Sequence, residues 1–451
     1  MSAQIASRRR FLKLASAAGT IFLLPQFALA SDLDDPRTAW FRKAKFGMFI
    51  HWGPYSLASV EASWPIIRPT EKWKISEAEY RALSNQFNPT KYDPDHFVDL
   101  ARSAGQQYIV ITTKHHDGFC MFDSDYTEYK ITKTPYGKDI VGMLSEACKR
   151  RQMPLGFYYS PPDFTHPGFR DTSKLTKENW NGEPERPQWS SYLDYMELQL
   201  TELLTRYGDC KVIWFDGLNN QQKYNGQRFL KLIHGLQPGT LINDRIGVPG
   251  DFVTPEQFIP KAIPTKDVEV RAVDSSVTSH DRVPRASDFQ LWETCMTINE
   301  TWAYNANDHA FKSTQDLIRA LIEVASRGGN FLLNIGPQPD GLVQPEFQER
   351  LRGIGDWLEV NGESIFDTTY GPIQNMPGIR TTAGRDHVYV HLVESPNGTL
   401  VLPDFKQRVA SVRLLETNQM LHFTQNERGV NINIAEPSRA SKLNVLALKI
   451  T

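Results

Sequence analysis

Six short stretches end in side chains able to do chemistry: His51-Trp52-Gly53, Lys114-His115-His116-Asp117-Gly118, Tyr158-Tyr159-Ser160, Trp214-Phe215-Asp216-Gly217, Asn243-Asp244-Arg245 and Trp292-Glu293. Taken singly, each has an ordinary structural reading. A histidine at the end of a strand is commonly a satisfied polar residue, and an aspartate before glycine is commonly a turn or a helix cap. Together they supply imidazoles, aromatic faces, an arginine and carboxylates. Tryptophan and tyrosine rings pack on the apolar side of a pyranose, while neutral imidazoles and an arginine exchange hydrogen bonds with its hydroxyls. Glycosidic cleavage needs two carboxylates, one at the anomeric centre and one to protonate the leaving oxygen. Asp216 follows the apolar run Val212-Ile213-Trp214-Phe215, which fixes its place as a nucleophile requires.

Two other chemistries compete for the same residues. His51, His115, His116, Asp117 and Asp216 are metal-ligand types. Adjacent residues on a regular strand point to opposite faces, however, so His115 and His116 are poorly arranged to chelate together. Neither His-x-His nor His-Glu-x-x-His occurs, and we expect no metal and no cofactor. A silent sugar-binding protein would keep the aromatics and histidines but has no need of Asp216.

Converging these stretches requires a scaffold. From about 38 to 366 the chain alternates short apolar runs with amphipathic helical segments, the pattern of a parallel α/β architecture. Asp93 caps a helix with Pro94 at its first position; Phe97, Leu100, Ala101 and Ala104 recur at helical spacing, and Gly105 ends it. Strands are expected at Phe46–Trp52, Gln107–Thr113, Leu155–Ser160, Lys211–Asp216, Thr240–Arg245, Phe289–Cys295 and Asn330–Ile335, with helices at 192–206 and 314–327. Seven strands suit a (β/α)8-like barrel with one strand irregular, and a barrel gathers strand ends into one mouth. No glycine-rich dinucleotide loop follows any strand. The polar stretches 163–190 and 246–288 are expected to surround that mouth. After Phe366 the texture changes to short period-two runs (388–392, 430–434, 445–450) separated by turns, which predicts a C-terminal all-β sandwich. The expected division is a leader over 1–30, a barrel over 31–368 and a sandwich over 369–451.

Several of these stretches resemble glycoside hydrolase family 29, the α-L-fucosidases. Trp40-Phe41-Arg42-Lys43-Ala44-Lys45-Phe46-Gly47-Met48-Phe49-Ile50-His51-Trp52-Gly53 is similar to its opening strand. Lys114–Phe119, Trp214-Phe215-Asp216, Asn243-Asp244-Arg245 and Gly328–Pro337 are similar to further signatures, in the right order. The resemblance implies an exo-acting enzyme that retains configuration, with fucosylated oligosaccharides or glycoconjugates as substrates. Carried over by position, Asp216 is the nucleophile. His51, His115, His116, Tyr158 and Arg245 bind the sugar or support Asp216, and Trp64 and Trp302 line it. Asp251-Phe252-Val253-Thr254-Pro255-Glu256 resembles the segment that supplies the acid/base in some members, which makes Glu256 the first choice and Glu293 the alternative. Where relatives carry a glutamate directly before the tryptophan, this chain has Ser63, with Glu61 nearby. An apolar wall is expected to keep Glu256 protonated.

Composition narrows the setting. The chain of 451 residues is 40% hydrophobic and 23% charged with a formal net charge of −2, ordinary for a globular protein and giving no reason to expect nucleic acid as partner. Ser7-Arg8-Arg9-Arg10-Phe11-Leu12-Lys13 before an apolar run ending Ala28-Leu29-Ala30 resembles a twin-arginine signal. Export to the periplasm or beyond the cell is therefore expected, with no membrane span in the mature chain. Cys120, Cys148, Cys210 and Cys295 show no metal-like spacing and read as buried free thiols.

Overall fold

A computed structural model of the chain describes residues 35–68, 73, 75–174, 182–217, 221–266, 288–374, 376–394, 398–434 and 443–451. The leader at 1–30 lies outside the described residues, as do parts of the two polar stretches.

Seven parallel strands form the first sheet: β1 (Phe46–Ile50), β2 (Ile109–Lys114), β3 (Leu155–Tyr159), β4 (Cys210–Phe215), β5 (Leu241–Ile242), β6 (Glu293–Thr297) and β7 (Asn330–Ile335). Their order is β5-β4-β3-β2-β1-β7-β6. Nearly every residue in them is buried, as expected of a parallel sheet covered by helices. The eighth position is held by the irregular segment 252–256. Phe252 bridges Asn243 beyond β5, while Val253 bridges Trp292 and Glu256 bridges Cys295 on the β6 side, all in the parallel sense. The segment thus joins the two edges of the sheet and closes a (β/α)8-like barrel.

Local chemistry explains the connecting helices. The helix Pro94–Ser103 starts where the Asp93 carboxylate accepts from the backbone of Asp95 and His96, satisfying two otherwise orphaned donors. Thr314–Ser326 is capped in the same way by Ser313. It ends before Gly328, whose φ of +80° suits glycine. Inside the barrel, the Tyr108 ring lies across Gly47, where an added Cβ would meet it at 2.4 Å.

Two expected strands differ. β5 is only two residues long, because the chain turns after Ile242: the Asp251 carboxylate accepts from the Ile242 amide and Gly250 packs on the backbone of Asn243. β6 begins at Glu293 rather than ending near it. Residues 289–292 instead make single bridges to Thr265 and Val253.

The C-terminal part is a sandwich. β8 (Thr369–Tyr370), β9 (Ile379–Ala383), β10 (His387–Leu392), β12 (Val409–Leu414), β13 (Gln419–Met420) and β16 (Val445–Ile450) form one sheet, ordered β13-β12-β16-β10-β9-β8. β11 (Gly398–Pro403), β14 (Phe423–Asn426) and β15 (Gly429–Ile434) form the other. Val390, Leu402, Val412, Ile432 and Leu448 lie between them in a core of their own. Tyr389, Leu415, Leu443, Val445 and Ala447 belong instead to the barrel's core, and Trp357 donates its indole N–H to the Leu443 carbonyl at 3.0 Å. No helix among the described residues is long and apolar enough to cross a membrane.

Candidate active site

The strand ends meet in an open pocket. His51, Trp64, His115, His116, Tyr158, Asp216, Glu256 and Trp302 all line it. Arg245 stands behind the two carboxylates, and Glu293 is absent from the wall.

Asp216 follows β4 directly and keeps 13% of its side chain exposed. Its Oδ1 accepts from Arg245 Nη1 at 2.9 Å and its Oδ2 from the Tyr158 hydroxyl at 2.8 Å. His116 Nε2 lies 3.4 Å from Oδ2. Burial opposes the charge, but His116 and then Arg245 outweigh it and hold the carboxyl well below the usual range.

Arg245 is itself gripped. Its Nε donates to the Thr254 hydroxyl at 2.8 Å and its Nη2 to the Thr254 carbonyl at 2.9 Å. The Thr254 hydroxyl in turn donates to Asp244, and the guanidinium lies 4.8 Å over the Trp214 ring. Arg245 Nη1 also reaches Glu256 Oε2 at 2.8 Å. One nitrogen therefore touches both carboxylates. The expected apolar wall around Glu256 is not what the fold supplies: the guanidinium takes that place, and the side chain is 35% exposed.

The imidazoles are fixed by neutral partners. His51 Nδ1 meets Asn334 Oδ1 at 2.7 Å, and burial pulls this histidine down to about 4. His115 Nδ1 meets the Ser63 hydroxyl at 2.6 Å; burial, then the neighbouring imidazoles, push His115 well below its ordinary value. His116 Nδ1 meets Ser160 Oγ at 2.5 Å. His51 and His115 are thus uncharged near neutral pH, suited to exchanging hydrogen bonds with hydroxyls. His115 stacks on Tyr158 with centroids 5.4 Å apart, and Tyr158 stacks on Trp214 at 5.7 Å.

Glu293 sits in the barrel floor. It accepts from Trp214 Nε1 at 3.0 Å and from the Tyr108 hydroxyl. Because β6 starts at this residue, its carboxylate is at the opposite end of the strand from the mouth. As the alternative proton donor it is badly placed.

The alpha-L-fucosidase family model matches residues 27–363. The chain belongs to that family. The plasma alpha-L-fucosidase of Homo sapiens is 30% identical over 367 residues, covering 75% of this chain and 71% of the human one. Among solved structures, alpha-L-fucosidase isoenzyme 1 from Paenibacillus thiaminolyticus superposes with a TM-score of 0.80 at 31% identity, covering 94% of this chain and 100% of that one. An alpha-L-fucosidase from Bacteroides thetaiotaomicron, trapped as a covalent intermediate in complex with 2-fluoro-fucosyl fluoride, gives 0.77 at 28%, covering 93% and 97%. This chain is an α-L-fucosidase, a glycoside hydrolase acting on fucosylated glycans, and the barrel-plus-sandwich reading holds.

Three residues of this fucosidase's site were not singled out from sequence as parts of it. Asn334 joins His51 to Trp302 by donating to the Trp302 carbonyl at 2.7 Å; an asparagine inside the apolar run Phe331-Leu332-Leu333-Asn334-Ile335 was the available signal. Ser63 accepts from the Asp117 amide and meets His115 Nδ1 at 2.6 Å. Ser160 donates to the Pro162 carbonyl, so it receives the Nδ1 hydrogen of His116. Glu61, noted from sequence beside Ser63, lines the pocket and accepts from the Trp302 amide through both oxygens, at 3.0 and 3.1 Å. Asp117 is turned away: it takes the Tyr80 hydroxyl, and burial raises it to about 6.

Proposed function

We propose that this fucosidase removes terminal α-L-fucose by double displacement, with Asp216 as nucleophile and Glu256 as acid/base. In the first step an Asp216 oxygen bonds to the anomeric carbon as the glycosidic C–O bond breaks, and Glu256 gives its proton to the departing oxygen. In the second, Glu256 takes a proton from water, whose oxygen attacks the same carbon and releases Asp216. Microscopic reversibility makes one residue serve both proton transfers.

The observation that carries this reading is the shared Arg245 nitrogen. With contacts of 2.9 and 2.8 Å to the two carboxylates, their nearest oxygens lie no further apart than the sum of those contacts. Retaining enzymes hold the pair ~5–5.5 Å apart and inverting enzymes ~6.5–9.5 Å. Arg245 also gives the two groups different roles. Held additionally by Tyr158 and His116, Asp216 stays charged, whereas Glu256 has Arg245 as its one side-chain partner among the described residues and can exchange that contact for a leaving oxygen.

Proton NMR during hydrolysis of an aryl α-L-fucoside should show α-L-fucose formed first, with the β anomer rising only by mutarotation; β-L-fucose as first product would overturn the proposal. Asp216→Gly should lose about 10³-fold or more in kcat and regain turnover with azide. Glu256→Ala should lose about 10²–10⁴-fold on poor leaving groups and far less on activated ones. Equal losses on both would remove Glu256 from the role. We also propose that residues 1–30 direct export through the twin-arginine route. Changing Arg8 and Arg9 to lysine should then retain the enzyme in the cytoplasm.

A further inference from the structure

The strand-based objection to chelation does not survive in the fold. β2 stops at Lys114, so His115 and His116 follow the strand instead of lying in it. Their ring centroids are 4.3 Å apart, and donor atoms of His115, His116 and Asp216 lie within 4.8 Å of one another. We propose that the fucose pocket, when no sugar occupies it, binds one borderline-soft divalent cation such as zinc on His115, His116 and Asp216, and that this ion inhibits reversibly by competing with substrate. This goes beyond the hydrolytic reading, which needs no metal.

Two imidazoles and a carboxylate with an open fourth position are a zinc donor set, with bonds of ~2.0–2.2 Å. Tetrahedral geometry at those lengths brings ligand atoms roughly 3.4 Å apart. The three side chains must therefore close by about an ångström between them. Their outer contacts favour it. Ser63 and Ser160 hold the Nδ1 atoms at 2.6 and 2.5 Å, and such a second contact is what orients a ligating histidine. Asp216 offers Oδ2 toward His116 while Oδ1 stays on Arg245. The Arg245 charge opposes the ion, which marks an inhibitory site rather than that of a resident cofactor. Cys295 also lines the pocket, but its sulfur is not among the clustered donor atoms.

The test uses the full-length enzyme and zinc itself. Apparent KM should rise linearly with free Zn²⁺, roughly tenfold at ten times the inhibition constant, with kcat unchanged and chelator restoring the original value. Mg²⁺ and Ca²⁺, which prefer oxygen cages, should have no effect. Calorimetry should find one zinc site, lost in His115→Ala and in His116→Ala with circular dichroism unchanged, and blocked by saturating L-fucose. Co²⁺ should give tetrahedral ligand-field bands without thiolate charge transfer. Inhibition on kcat alone, a thiolate band, or a calorimetric site that survives both substitutions would overturn the proposal. The calorimetry on variants involves no sugar, so its failure is distinct from failure of the hydrolytic mechanism.

Discussion

Glu293 and Asp216 are both carboxylates in the same barrel, yet their surroundings drive them in opposite directions. Asp216 faces a guanidinium, a phenol and an imidazole. Glu293 faces only neutral donors, and burial raises it to about 7 against the hydrogen bonds from Tyr108 and Trp214. The unfolded chain loses this proton near pH 4.5, so from there to about 7 the folded protein holds a proton that the unfolded one has released. Stability therefore falls as pH rises through that window, by about 1.4 kcal/mol per pH unit for this group. Glu293→Gln keeps the shape without the charge. Its melting temperature should match the parent near pH 5 and exceed it at pH 8, with kcat within a few-fold because Glu293 lies outside the pocket. A constant gap between the two melting curves from pH 5 to 8 would refute the assignment.

The segment 252–256 closes the barrel and also arms it, through Thr254 under Arg245 and Glu256 above. Thr254→Val removes the hydroxyl that Arg245 Nε and Asp244 share. A hydrogen bond to a charged group contributes ~1.5–3 kcal/mol, so kcat/KM should drop about tenfold or more. Thr254→Ser should restore it, which a merely steric role would not require. A valine variant with parental kcat/KM would show that Arg245 is held without Thr254. This segment was also hardest to see in the sequence. The apolar runs of β1, β4 and β7 announced themselves, and β7 begins and ends where the residues predict. So did the helices with Asp93 and Ser313 at their caps. By contrast 252–256 pairs through single bridges on both sides, and such pairing leaves no period-two signature. β6 was misplaced for a related reason: Phe289-Gln290-Leu291-Trp292 is as apolar as a strand, but its backbone is spent on loop contacts. The residue types at the mouth were readable because few folds collect three imidazoles, an arginine and a tryptophan after apolar runs. Their hydrogen-bond partners Ser63, Ser160 and Asn334 were not, since a serine's value here depends on what the fold sets beside it.

The sandwich is joined to the barrel through shared core. Tyr389, Leu443, Val445 and Ala447 are buried with barrel residues, and Trp357 of the helix Pro345–Asn361 bonds to Leu443. A chain ending at 368 would expose that helix face to water, at ~25 cal/mol per Å² of apolar surface. Such a truncation should be insoluble or should melt well below the intact enzyme, as read by calorimetry. A truncated barrel with the parental melting temperature would show the two parts to be independent.

Placing Glu256, the proposed proton donor, on an irregular wall segment separates two demands that a regular strand would tie together. Asp216 and its imidazole neighbours follow directly on regular strands and, in the proposed mechanism, face the sugar that every substrate has in common. Glu256 stands where the backbone is anchored at isolated points, so insertions or exchanges nearby can tilt it toward differently shaped aglycones. Diversification of the accepted glycan should therefore accumulate around 252–257, while the opposite half of the rim stays unaltered.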